Sequence, residues 1–256
     1  MGCHPERSEG SNIAHRILRF AQNDGIRRPS AIWLRWLAGL LVSWLAMLIL
    51  ASRSPRRRRL LAHLNLSFRV VIPQLDEDAA PRSSGQPEEL AEALALAKAE
   101  AVAGEEREGI VIAADTIVVA GGTILGKPAD GSEAAATLRR LRGKTHRVIT
   151  GLALLEAASG RRAASHVVTA VQMRDYGDAE IAAYVACGEP LDKAGAYAIQ
   201  DEQFHPVASY DGCYCNVVGL PLKALVILLR RAGLDIRTDS LQDLPPQCAA
   251  CPIVVE

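Results

Sequence analysis

An α/β fold is what this sequence predicts, on three observations. Short β-branched and aliphatic runs alternate along the chain with longer segments of helical period. Several of those segments open on a capping residue or proline and close on glycine. Over 256 residues, 49% hydrophobic and 23% charged is ordinary for a chain that buries its own core without help from disulfides or metal. Disordered and collagen-like chains are excluded. Lys plus Arg total 29 and Asp plus Glu total 29, so no global field recruits nucleic acid or anionic lipid. Aromatics at 4% leave few platforms for stacking bases. Nucleic acid is therefore not the expected partner.

Residues 36–50 read WLAGLLVSWLAMLIL, with Arg27, Arg28 and Arg35 before them. The run has the length of a signal-peptide core and falls short of the ~20 residues of a spanning helix. Residues 48–52 lead straight into Ser54-Pro55-Arg56-Arg57, which reads as a buried strand entering a helix. Membrane insertion would pull that strand from its sheet, so a membrane role is not expected. Met47 stands just before the strand. Residues 47–234 thus read as the domain, and residues 1–46, whose HPERSEG and RILRFAQNDG stretches lack core periodicity, as an extension from a mis-assigned start. A membrane anchor carrying a cytosolic enzyme is the competing reading.

Ser54 caps a helix with Pro55 at its first position, running to about residue 64. Residues 68–73 (FRVVIP) form a second strand and residues 76–86 a polar loop. An Ala-rich helix spans 87–102, with Glu88 and Glu89 in its first turn and Lys98 in its later half. Residues 110–113 read as a short buried strand, and 117–120 and 123–125 as a hairpin across Gly121-Gly122, leaving Asp115 at the bend between. A helix over 132–141 precedes strands over 147–155 and 167–173. Asp178 caps a helix that ends near Cys187, where Gly188 stops it. A last helix from about Pro221 buries Leu222, Leu225, Val226 and Leu229 and stops before Gly233. Residues 235–256, Pro-rich and without periodicity, read as a loose tail. No repeat of 20 to 50 residues occurs.

Six cysteines are too few for a disulfide scaffold, and a reducing cytosol is the default compartment. Cys213 and Cys215 form a CxC, Cys248 and Cys251 a CxxC, which in principle hold zinc. Their spacing is not that of zinc knuckles, and the reading taken is small apolar filler.

Arg53, Arg56, Arg57, Arg58 and Arg59 gather guanidinium groups at a helix N-terminus, whose exposed N–H groups already favour an anion. Phosphate suits planar bidentate forks. A solvated basic face is the alternative, and Arg58 and Arg59 read that way. Asp115 ends an apolar strand and should emerge at the sheet's edge, where α/β proteins place ligands. With Asp76 and Glu77 it supplies the hard oxygen donors that Mg²⁺ prefers. Lys98 and Lys127 are point charges for a triphosphate. No GxSxG elbow, Cys/His nucleophile spacing or GxxxxGK[ST] loop is present, so phosphoryl-ester chemistry fits better than acyl transfer or a P-loop kinase.

The motifs SRSPRR (52–57), ADT (114–116), GKP (126–128), THRVITG (145–151), EPLDKAGAY (189–197) and VGLP (218–221) resemble, in order and spacing, the Maf family of nucleoside triphosphate pyrophosphatases. The resemblance covers residues 47 to about 234. It implies hydrolysis between the α and β phosphates to a monophosphate and pyrophosphate, with a divalent cation, Mg²⁺ or Mn²⁺, in the cytoplasm and often by a homodimer. The implied fold is an elongated, twisted mixed sheet flanked by helices, shared with inosine triphosphate pyrophosphatases. By position, Asp115 resembles the family's proton acceptor and, with Glu77, its metal-binding carboxylates. Ser54, Arg56, Arg57, Lys98 and Lys127 resemble its phosphate-handling residues, and Arg56, Thr116 and Gln200 its specificity positions. Thr116 and Gln200 match the branch acting on dTTP and UTP rather than the one acting on 7-methyl-GTP. Ala198 and Asp201 depart from the usual Tyr-Gly-Ile-Gln-Gly, and Cys215-Asn216 is a further variation. A non-catalytic regulator of septum formation, membrane-held, is the alternative function that the family's history suggests.

Overall fold

The structure, a computed structural model, describes residues 47–75, 85–236, 244–249 and 251–253. The expectations for residues 1–46, and for Asp76 and Glu77, fall outside these residues. Among the described residues seven strands make one mixed sheet in the order β2-β1-β3-β5-β6-β7, with β4 also paired to β3. The strands are β1 (Leu48–Ala51), β2 (Phe68–Val71), β3 (Ile110–Ala120), β4 (Thr123–Leu125), β5 (Thr145–Glu156), β6 (Arg162–Met173) and β7 (Val207–Asp211). β1 runs parallel to β2 and β3, whereas the other pairings are antiparallel. The expected mixed sheet flanked by helices is thus met. No helix among the described residues is long and apolar enough to cross a membrane.

Both faces of the sheet are covered, which is why β1 and β3 read as unbroken apolar runs. Side chains alternate along a strand. β3 therefore sends Val111, Ala113, Ile117 and Val119 toward α2 (Pro87–Ala103), and Ile112 and Ala114 toward α1 (Pro55–Ala62), α5 (Tyr214–Val218) and α6 (Leu222–Arg231). Leu222, Leu225, Val226 and Leu229 pack on the second face, as their spacing predicts, each burial contributing about 1.5–3 kcal/mol. On the first face α2 approaches closely because Ala91, Ala95 and Ala99 are small and fully buried. At Gly151 of β5, an added Cβ would stand 2.1 Å from the Ala91 carbonyl oxygen. A third cluster joins α3 (Gly131–Leu141) and α4 (Asp178–Ala186) to the distal end of the sheet through Leu138, Tyr176, Ile181 and Phe204.

Some expectations change. The predicted short strand and hairpin arm are one continuous strand, so Asp115 lies in the middle of β3 rather than at a bend or a strand end. β5 pairs with β3 from Ile110 through Val119 and holds it straight past the polar Asp-Thr. The Gly121-Gly122 turn is as expected, with positive φ at both residues. Asp178 is the first helical residue rather than the cap; the Glu180 carboxylate instead accepts the Gly177 N–H at 2.7 Å. β6 starts five residues before the predicted 167, because residues 162–166 are polar or small and leave no apolar run. β7 and α5 carry no pattern that the sequence reading registered. Finally, the tail is not loose throughout. Ile236, Cys248 and Cys251 are buried, α7 (Pro246–Ala249) forms a helical turn, and Cys248 is disulfide-bonded to Cys215.

Candidate active site

Among the described residues, pairing leaves an opening along one edge of β3. β1 ends where Ala51 faces Ala113, and β4 begins to pair only where Leu125 faces Val118. Between them, residues 114–117 of β3 have no strand on that edge. Asp115 and Thr116 are the two residues of β3 that are not buried. The gap is bounded on one side by residues 52–57, where the chain leaves β1 and turns into α1. On the other side Gly126-Lys127-Pro128 leaves β4 heading along β3 toward the gap. The carboxyl ends of β1 and β2 open at the same place, where parallel strands expose their ligand sites.

Each part of this rim has a local cause. Ser54 is extended, its hydroxyl accepts the Arg57 N–H at 3.4 Å, and Pro55 starts the helix. The Ser52 hydroxyl accepts the Ser54 N–H at 3.1 Å, tightening the turn. Arg58 and Arg59 are exposed, as expected. Arg57 instead reaches inward. Its Nε donates to the Gly219 carbonyl at 2.8 Å and its Nη2 to Thr116 Oγ1 at 3.0 Å. Thr116 lies 2.9 Å from Thr150 Oγ1, which donates to the Asn216 carbonyl at 2.9 Å. Because the Thr150 hydrogen goes to that carbonyl, Thr116 is the donor to Thr150, and the hydrogen bonds run one way from Arg57 to Asn216. Gly219 has φ +119, and a Cβ there would stand 3.3 Å from the Thr116 hydroxyl and 3.4 Å from Arg57 Nε. Only glycine lets the fork and the threonine come together.

Asp115 and Thr116 point to opposite faces of the sheet. On the α2 face, the buried Lys98 ammonium sits on Asp115 Oδ1, both side chains being nearly enclosed. Lys98 thus meets the carboxylate from behind the strand, by way of α2. On the other face Arg56 donates to Asp192 Oδ2 at 3.3 Å. Asp192 also holds Lys193, whose buried ammonium reaches Asp192 Oδ1 at 2.5 Å and Glu189 Oε2 at 2.9 Å. Burial pushes the Asp192 carboxyl up, but Lys193 and Arg56 beside it outweigh that and hold it below the ordinary range. The short 3₁₀ turn that follows is joined to the loop after β4, Gly195 donating to the Gly126 carbonyl at 3.1 Å. Lys127 is exposed on that loop.

The structure therefore brings Ser54, Arg56, Arg57, Lys98, Asp115, Thr116 and Lys127 to one opening. Gln200 is exposed and lines a groove with Glu180, Tyr184, Phe204 and Glu189, the last of which also holds Lys193. Asp201, the departure beside it, accepts N–H groups of Gln203 and Phe204 at 3.1 and 2.7 Å, so its charge caps its own turn. Sequence reasoning missed Thr150, Asp192, Lys193, Asn216 and Gly219 as parts of the site. All but Asn216 stood inside the quoted motifs, but nothing in their spacing told which face they share. Asn216, buried in α5, bridges Val148 O at 3.0 Å and Thr169 Oγ1 at 2.8 Å. That contact accounts for Asn216 in the Cys215-Asn216 variation as a packing feature. At the start of β5, four residues before Thr150, His146 Nε2 lies 2.7 Å from the Tyr197 hydroxyl, and burial lowers its pKa to about 4.

Among the described residues no three carboxylate, imidazole or thiol groups converge to hold a metal by themselves. Asp115 is the carboxylate in the gap. One carboxylate fits a Mg²⁺ or Mn²⁺ ion that completes its shell with water and phosphate oxygens, the usual way such ions sit at phosphoryl-transfer sites.

A family model described as Maf-like protein matches residues 47–232. Among the relatives, a dTTP/UTP pyrophosphatase of Thermomicrobium roseum is 50% identical over 206 residues, 80% of this chain and 93% of that protein. A dTTP/UTP pyrophosphatase of Pelotomaculum thermopropionicum is 47% identical over 189 residues, covering 74% of this chain and 98% of that one. Among solved structures, a HAM1 protein from Coxiella burnetii is similar over 52% of this chain and 75% of its own, at 16% identity and a TM-score of 0.38.

Proposed function

The chain belongs to the Maf-like family, and from that premise we propose that it is a nucleoside triphosphate pyrophosphatase that hydrolyses dTTP or UTP to the monophosphate and pyrophosphate. The relatives named above support the activity and the pyrimidine preference. The observation that carries the reading is the gap in the β3 edge, which exposes Asp115 between a helix N-terminus and a lysine loop. A triphosphate laid across it meets the N–H groups that open α1, with Arg56 and Lys127 as counter-charges. Arg57, clamped by Gly219 and Thr116, fixes the position of α1 against β3. Asp115, steered by Lys98, orients a water and takes its proton as the water attacks the α-phosphorus. Asp115 would hold the divalent cation, with Glu77, outside the described residues, as its second carboxylate. When bound, the cation supplies neutralisation of the charge gathering on the leaving pyrophosphate. The Thr116 hydroxyl accepts from Arg57 and donates to Thr150, so its part in base selection is to hold Arg57 beside the gap.

The test is a panel of common, methylated and non-standard triphosphates with Mg²⁺ or Mn²⁺, read as pyrophosphate and monophosphate. Release from dTTP and UTP ahead of purine nucleotides is expected. Release of orthophosphate instead, or no turnover of any nucleotide, would overturn the reading, the latter leaving a non-catalytic role.

A further inference from the structure

Four of the six cysteines converge. Cys213 and Cys215, at the start of α5, meet Cys248 of α7 and Cys251 beyond it, all in one apolar cluster and none more than 6% exposed. Cys215 and Cys248 are joined, with Cα atoms 6.5 Å apart, while Cys213 and Cys251 are buried thiols in direct contact with each other. Each segment thus gives one sulfur to the bonded pair and one to the thiol pair. Isolated apolar filler does not require the pairing.

We propose that, once the Cys215–Cys248 bond is reduced, Cys213, Cys215, Cys248 and Cys251 form a four-thiolate site for a thiophilic divalent cation, Zn²⁺, that fastens the C-terminal segment onto α5. With the disulfide closed, only two of the four sulfurs are thiols, and no set of three donors exists. Two equivalents of a low-molecular-weight thiol reduce the bond, leaving as their own disulfide and yielding two cysteine thiols. Zn²⁺ then binds four sulfurs with release of their four protons. An all-sulfur set from a CxC and a CxxC selects zinc over the hard Mg²⁺ of the gap. The site also bears on the opening in the sheet. α5 carries these cysteines at its start and ends on Gly219, whose carbonyl holds Arg57, and the Cys215 carbonyl accepts the Gly219 and Leu220 N–H groups. The inference stands apart from the assigned hydrolysis, since it concerns only what fastens α5.

Full-length protein purified under a thiol reductant, without chelator, is expected to hold one zinc per chain by plasma mass spectrometry. Co²⁺ replacing it should give the intense visible bands and thiolate charge-transfer absorption of a tetrahedral sulfur site. Cys248→Ser and Cys251→Ser should lose the metal, whereas substituting the exposed Cys187 should not. Because the cobalt spectrum is read on the unsubstituted chain, it does not depend on the variants folding. Reduced protein that takes up neither Zn²⁺ nor Co²⁺ on dialysis, or that closes a second disulfide between Cys213 and Cys251 with zinc present, would overturn the proposal.

Discussion

At the scale of single residues, the site divides by the face on which each side chain stands. Asp115 and Thr116 are neighbours in sequence, yet one carboxylate faces a lysine from α2 and the next hydroxyl faces an arginine from α1. A single strand so separates the chemical group from the positioning group. Asp115→Asn keeps the shape and an acceptor for Lys98 but removes the charge that takes a proton. We expect turnover to fall about 10²–10⁴-fold with the far-ultraviolet circular dichroism unchanged; near-normal turnover would take Asp115 out of the mechanism. Some stability should go as well, because Lys98 is left nearly enclosed beside a neutral amide.

At the scale of elements, α2 is held against the sheet by what is missing from its contact surface. Its alanines and the bare backbone at Gly151 allow an approach that a side chain at position 151 would block. The same approach brings Lys98 to Asp115, so packing and chemistry share one distance. Gly151 is flanked by Thr150, which belongs to the opposite face and the Arg57 chain. Gly151→Ala puts a methyl into the Ala91 backbone rather than against a flexible side chain. A loss of about 1–3 kcal/mol is expected from chemical denaturation, together with slower turnover as α2 moves off. An unchanged denaturation midpoint would show that α2 does not lie where Gly151 indicates.

At the scale of the whole molecule, a buried neutral imidazole makes stability depend on pH. His146, in β5, lies edge-on against Tyr197, and desolvation lowers its pKa from 6.5 to about 4. Its folded value is below its unfolded one, so the unfolded chain binds more protons between those values. Stability is therefore complete above pH 6.5, falls as the pH drops toward 4, and loses up to about 3 kcal/mol from this one group over that window. His146→Gln, which retains a partner for the Tyr197 hydroxyl, should flatten the slope of denaturation free energy between pH 6.5 and 4. An identical slope in the variant would assign the acid sensitivity to other groups.

The sequence by itself determined the class of fold, most helices, the family and the residue types of the site. These follow from local signals: apolar period, the Ser54-Pro55 start of α1, the Gly121-Gly122 turn, and motifs whose order survives without coordinates. It also placed Arg58 and Arg59 in solvent correctly. Tertiary structure alone decided that β3 is continuous through Asp115, because the decision belongs to β5, a strand that begins 25 residues beyond β3's last residue. It alone decided that Arg57 turns inward to Gly219 and that Cys215 meets Cys248 across 33 residues. Periodicity records which side of an element is buried, but which distant group waits there depends on how the chain closes on itself.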